Sequence, residues 1–233
     1  MFVSDDMIRR MEERFGVPVA RTYRIATTAH ELARIASSQK HGRNHDVTLY
    51  VQKDDKWIVI AKHPYPAGLF RSPSGGLDPG EDFIDGINRE AAEELGCRVA
   101  LERFLLKTDV EFFLEKEMPL ADIPVQQIRL LYGGPMTGDR RSLKNRITVY
   151  RAPDDKPDKN RNPELIRWRS WVFLARYVDG DFRYTDHHEI REVRLVDWDQ
   201  FAEYGKIMKT AGGGGLYYRA LLHETVAELL GKP

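Results

Sequence analysis

The spacing of apolar positions changes several times along the chain, and each change marks an element. Met7, Ile8, Met11 and Phe15 fall at helical spacing, with Ser4 placed as an N-cap and Gly16 as a stop. Val17-Pro18 turns the chain, and Thr28 with Glu31 forms a capping box for a second helix that buries Leu32, Ile35 and Ala36. After a polar loop the period drops to two. Val47, Leu49 and Val51 alternate, Lys53-Asp54-Asp55 is a turn, and 57–61 is a compact apolar run, which together predict a hairpin. A Pro-punctuated loop, 63–74, leads to a third helical pattern, in which Ile84, Ile87, Ala91 and Leu95 form one stripe. Strands are expected at 98–106 and 109–114. From about 115 to 165 the pattern is lost in favour of Pro, Gly, Asp, Arg and Lys, with short strands expected at 128–132 and 146–150. A structureless loop of that length is unusual in a compact domain, so the segment reads as an insertion that folds in part. Regular structure returns as a strong strand from Ile166, a polar loop from Asp179, a strand at 190–196 and a short helix near Phe201. A glycine run at 212–215 reads as a flexible joint before a last helix, 216–230, with Tyr218, Leu222, Val226 and Leu229 on its buried face. Strands and helices interspersed with hairpins fit a mixed sheet.

The chemistry is concentrated at 75–97, GGLDPGEDFIDGINREAAEELGC. Pro79-Gly80 is a turn, Asp82 suits an N-cap with Asp85 three residues on, and Gly96 is the C-terminal stop. Glu90 and Glu94 sit one turn apart with Glu93 beside them, so like charges repel along one helix face. A divalent cation relieves that repulsion, and oxygen-only ligands suit Mg2+ or Mn2+ rather than zinc. Glycines before the helix let backbone approach a ligand closely. Together these features suggest metal-assisted attack on a phosphate ester or anhydride. Taken alone, Glu93-Glu94 reads first as a solvated acidic helix face, the usual fate of a charge run.

The order of residues separates the two readings. Gly75, Glu81, Arg89-Glu90, Glu93-Glu94 and Gly96 stand at fixed intervals, with Ala91 and Cys97 at the apolar positions. This resembles the Nudix box, the signature of the Nudix hydrolase superfamily. The resemblance implies an α/β fold, a Nudix-type α/β/α sandwich with a mixed β-sheet, at 46–204. Residues 1–45 are then a helical arm, 115–165 an insertion, and 205–233 a C-terminal helix. It implies an enzyme, a Mg2+- or Mn2+-dependent pyrophosphohydrolase of a nucleoside diphosphate linked to another moiety, such as ADP-ribose or an NDP-sugar. The alternative is a Nudix-fold nucleotide sensor without hydrolysis, which usually lacks box carboxylates that are all present here. In the family picture Glu90, Glu94 and Glu93 hold metal together with the backbone carbonyl of Ser74, which replaces the first glycine of the usual Pro-Gly-Gly. Arg89 orients the cluster by pairing with Glu81, and the catalytic base is Glu93 or an acid from the later loop, Glu189 ahead of Glu192. His187-His188 reads as part of a polar loop before it reads as a metal site. The family's substrate markers are not matched: Val110-Glu111-Phe112 and Phe113-Leu114 stand where prolines or tyrosines would be diagnostic, so the substrate stays generic.

Composition narrows the setting. The formal net charge is zero, so no global field recruits nucleic acid or an anionic membrane, and the expected partner is a small-molecule nucleotide. Locally, Arg140, Arg141, Lys144, Arg146, Lys156, Lys159 and Arg161 make the insertion basic, which suits a phosphate-rich ligand or a solvated loop. One cysteine excludes an intrachain disulfide framework, and the charged start of the chain is unlike a secretory signal. A cytoplasmic protein is the expectation. The terminal helices either complete the sandwich or mediate a homodimer contact.

Overall fold

Alternation along the hairpin sorts its side chains onto two faces, and the architecture follows from covering both. The computed structural model describes residues 3–37, 39, 43–114, 165–211 and 213–232. Strand β2 (His45–Lys53) sends Val47, Leu49 and Val51 to one face and Tyr50 to the other. Strand β3 (Lys56–Lys62) sends Ile58 and Ile60 to the first face, and Trp57, Val59 and Ala61 to the second. Helices α1 (Asp5–Phe15) and α3 (Phe83–Leu95) cover the first face with Ile8, Met11, Phe83, Ile87, Ala91 and Leu95. Helices α2 (Ala29–Ser37), α4 (Trp198–Thr210) and α5 (Gly214–Leu230) cover the second, through residues such as Leu32, Phe201, Leu222 and Val226. The result is an α/β/α sandwich. The apolar faces of the first and last helices are buried on the sheet.

The sheet runs β1-β5-β6-β2-β3-β7, with strands β1 (Val19–Thr27), β5 (Cys97–Leu114), β6 (Leu165–Gly180) and β7 (Ile190–Val196). The two-residue β4 (Ser74–Gly75) pairs with the start of β2. Pairing is parallel for β1–β5 and β2–β6 and antiparallel for β5–β6, β2–β3 and β3–β7, so the sheet is mixed.

Several expectations are corrected. The segment 1–45 is not purely helical, because β1 lies between its two helices and pairs along the whole end of β5. Two separate strands were expected between 98 and 114; β5 is one 18-residue strand that absorbs its irregularity as register shifts against β6. The glycine joint is anchored: Gly214 N and Gly215 N donate to the Glu31 carboxylate at 2.6 and 3.0 Å. That places a negative charge at the N-terminus of α5, where unpaired amides and the helix dipole favour it. The short strands at 128–132 and 146–150, and the basic residues of the insertion, lie outside the described residues.

Candidate active site

Helix α3 is set by its ends. Asp82 Oδ1 accepts from Ile84 N at 2.8 Å, and Gly96 closes the helix at φ 66, with its amide directed to Ala91 and Ala92 carbonyls. The buried stripe is Phe83, Ile87, Ala91 and Leu95; Ile84, expected in it, is only partly buried. With this face fixed on the sheet, Glu90 and Glu94 turn toward β4 and the glycine loop. Ser74 N donates to Glu94 Oε2 at 3.1 Å and Gly76 N to Glu90 Oε1 at 3.2 Å. A Cβ at Gly75 would fall inside the Glu90 carboxyl, and one at Gly76 would collide with Arg43. A side chain at either place would therefore displace the Glu90 carboxylate or the Arg43 guanidinium from its present position. Ser74 takes the neighbouring place without a left-handed backbone: among the described residues only Asp54 and Phe182 have positive φ outside glycine.

Arg89 ties the loop to the helix. Its Nε and Nη2 donate to the two Glu81 carboxylate oxygens at 2.8 and 3.0 Å, a bidentate pair. Nη1 donates to Glu90 at 3.0 Å and Glu93 at 3.1 Å, and Nη2 also donates to the Gly76 carbonyl at 2.9 Å. The hydrogen bonds from Arg89 hold the Glu81 carboxyl below the usual carboxylate range. Glu90 moves the other way: burial, then the charge of Glu94, push it up to about 7 against the pull of Arg89.

Glu94 is buried and stands 3.0 Å from the ammonium of Lys62, the last residue of β3. The same ammonium bonds Glu189. Burial alone would raise the Glu189 carboxyl, but Lys62 next to it, with Arg71 and Arg43 further off, holds it below its ordinary value. The loop that carries Glu189 is tied down, since Thr185 N and Asp186 N both donate to the Glu93 carbonyl at 3.0 Å. These bonds satisfy a carbonyl of the last helical turn that would otherwise lack a partner. Glu192, the second choice for that role, instead pairs with Arg194.

The site opens on a cleft of about 620 Å³, with Asp46, Glu90, Glu93, Glu94, Asp186 and Glu189 as its acidic groups and Arg43, Lys62, Arg71 and Arg219 as its basic ones. Arg219, on α5, pairs with Asp46 at 2.5 Å and donates to Thr48 Oγ1 at 2.6 Å. The sequence reading missed all four cations. Lys62 and Arg71 carry no short-range signal, and Arg219 meets Asp46 only because α5 packs on β2. His187 and His188 form no metal cluster, and among the described residues no three His, Cys, Asp or Glu side chains stand in metal-holding geometry.

Residues 40–127, which contain the loop, α3 and β5, match the family model described as NUDIX domain. The chain carries a NUDIX domain. Its Nudix box is the Gly75–Cys97 stretch, complete in its charged and glycine positions. A protein named RNA pyrophosphohydrolase from Pelagibacter ubique is 24% identical over 154 residues, covering 64% of this chain and 89% of that protein. Another of the same name from Sphingopyxis alaskensis is 26% identical over 128 residues, covering 54% and 75%. A solved Nudix hydrolase from Nitrosomonas europaea aligns at TM-score 0.43 and 15% identity, over 82% of this chain and 74% of that one. No helix among the described residues of this Nudix chain is long and apolar enough to cross a membrane.

Proposed function

We propose that this Nudix hydrolase is a metal-dependent pyrophosphohydrolase cleaving a nucleoside diphosphate linked to another group, with ADP-ribose, NDP-sugars and related nucleotides as the substrate class. The observation that carries the reading is the face of α3, where Glu90, Glu93 and Glu94 gather beside the amides of the glycine loop, at the edge of a cleft sized for a nucleotide. The donor set suits Mg2+ or Mn2+: Glu90, Glu93, Glu94 and the Ser74 carbonyl would hold the ion, all through oxygen. The Lys62 ammonium, lodged between Glu94 and Glu189, supports that fit because a cation already balances the buried charge there. When bound, the metal supplies charge neutralisation at the phosphates and a lowered pKa for bound water.

The chain's own groups divide the remaining work. Arg89 donates to Glu81, Glu90 and Glu93 together, so the carboxylates are oriented before substrate arrives. Glu93 is the most solvent-accessible of the three box carboxylates, at 46%, and is the acceptor we assign to the proton of the attacking water. Glu189, kept ionised by its cationic neighbours, serves as an anchor for Lys62 or a further metal ligand. A second reading takes the 5′ end of an RNA as the substrate. It is favoured by the basic wall of the cleft and by the name of the two relatives, RNA pyrophosphohydrolase. Zero net charge excludes only a global field and does not argue against such local contact.

The test is a panel of ADP-ribose, NDP-sugars, nucleoside triphosphates and a short 5′-triphosphorylated RNA, with Mg2+ or Mn2+ and products resolved by chromatography. Metal-dependent release of a phosphate-containing product is expected. Glu94→Gln, nearly isosteric, should lower turnover by roughly three powers of ten or more. Turnover of that variant within a few-fold of the parent at saturating metal overturns the assignment. A chain that binds nucleotides and turns over none of the panel is instead a sensor.

A further inference from the structure

Two of the four cations in the cleft are not neutralised. Lys62 is held by Glu94 and Glu189, and Arg219 by Asp46. Arg71 and Arg43 have no carboxylate partner within ion-pair distance among the described residues. Arg71 is 4% exposed, and its backbone is fixed by a bridge to Ile60. Its guanidinium is oriented by neutral groups only. Nε donates to the Tyr65 hydroxyl at 2.8 Å, and Nη1 donates to the Ser72 carbonyl at 2.5 Å and to Ser74 Oγ at 3.0 Å. Those bonds account for the Nε–H and both Nη1 hydrogens. The two N–H groups of Nη2 have no partner among the described residues, and the side chain lines the cleft. Arg43 lines the same cleft beside Gly76, with its Nε buried and unpartnered. Glu189 feels both charges, but its carboxylate is bonded to Lys62.

A guanidinium fixed by neutral groups and withdrawn from water carries an unpaid desolvation penalty, which an arriving anion removes. Its planar fork matches phosphate oxygens better than any other side chain does. We propose that Arg71, together with Arg43, is the receptor for a terminal phosphate of the substrate, one that lies beyond the linkage addressed by the carboxylate helix. This rests on the pyrophosphohydrolase reading and narrows its substrate class, from ADP-ribose and NDP-sugars to nucleotides in which the group linked to the nucleoside diphosphate is itself a phosphate. A terminal phosphate carries nearly two negative charges near neutral pH and three non-bridging oxygens. The two guanidinium charges left free match that group. A diphosphodiester such as ADP-ribose has a sugar in that place and nothing there to pair with them. The chain should therefore prefer nucleotides that end in a phosphate.

The experiment compares equilibrium binding of a non-hydrolysable nucleoside triphosphate analogue and of ADP-ribose by calorimetry in Mg2+. The proteins are the parent, Arg71→Gln, Arg71→Lys and Arg43→Gln, each with a melting curve. Arg71→Gln should weaken the triphosphate analogue by about tenfold or more and change ADP-ribose by less than about twofold. Arg71→Lys should recover part of the loss, and Arg43→Gln should shift the same ligand in the same direction. If Arg71→Gln does not fold, Arg43→Gln carries the comparison. Equal losses for both ligands, or none for either, overturn the proposal, as does a parent that prefers ADP-ribose. Arg71-dependent binding of the triphosphate with no turnover of any nucleotide supports the receptor while removing the hydrolase reading, so the two fail separately.

Discussion

Lys62 is where the electrostatics of the site converge, because its ammonium is the cation that Glu94 and Glu189 share. Removing it with Lys62→Met leaves Glu94 buried without its counter-charge, a change that costs a few kcal/mol in comparable buried pairs. The metal-free variant should melt several degrees lower than the parent. Mn2+ should recover most of that loss and bind roughly tenfold more tightly, since the competing cation is gone. Titration of Mn2+ followed by melting temperature and by the signal of the free ion checks both. A variant with unchanged metal affinity would mean that Lys62 and metal do not meet. The box residues were legible in the sequence because their partners are short-range: Arg89 reaches Glu81, Glu90 and Glu93 within one loop and one helix. Lys62, Arg71 and Arg219 were not legible, because the sheet and α5 bring them together and nothing in their neighbours announces it. Cys97 reads simply as an apolar residue, and the structure agrees. Burial, then the charge of Asp179, push its thiol up to about 12, in line with a packed rather than a reactive side chain.

Among the elements, α3 had the clearest pattern and β1 the faintest. Helix α3 announces both ends, through Asp82 and Gly96, and its stripe recurs at helical spacing. Asp82→Ala removes the acceptor for Ile84 N and should cost about 1 kcal/mol, read as a shift of the urea midpoint at unchanged slope. A loss near zero would place the start of the helix under tertiary control alone. Strand β1 alternates only over its second half, where Tyr23, Ile25 and Thr27 turn inward around Arg24 and Ala26, and Arg21 breaks the pattern before them. It lies at the sheet edge, and among its nine residues only Ile25 and Thr27 are buried, so the stretch between Pro18 and Thr28 gave no element in the sequence. Strand β5 was split in two because Lys107 and Thr108 interrupt its apolar run. Thr108 is nevertheless buried, with its hydroxyl 2.5 Å from that of Tyr218 on α5. A polar residue paired across the interface cannot be recognised before the interface is known.

Both layers of the sandwich hold a buried histidine, and this makes the whole molecule sensitive to acid. Burial pulls His45 and His223 down to about 4. The unfolded chain takes up these protons near pH 6.5 and the folded chain only near pH 4, so stability falls as pH drops through that window. The bound is on the order of 3 kcal/mol for each histidine. Glu90 acts in the opposite sense: its raised carboxyl favours the folded state as pH falls from 7 toward its ordinary range. His223→Phe keeps an aromatic ring among Tyr50, Trp198 and Phe201 while removing the titrating group. Its unfolding free energy should fall less steeply between pH 6.5 and 4 than that of the parent, and equal slopes would remove His223 from the account. The sheet order carries a consequence for how the chain reaches this state. Strand β2 lies between β6 and the β3–β4 side, and it pairs in parallel with β6, whose residues are roughly 120 positions later in the chain. The nearest neighbours of the Nudix box can form early, since β2, β3, β4 and α3 are local in sequence. The middle of the sheet, however, closes only after most of the chain has been made and a long loop has lost its entropy. High contact order of this kind predicts folding in milliseconds to seconds rather than microseconds, with one edge of β2 unpaired and open to other chains until β6 arrives.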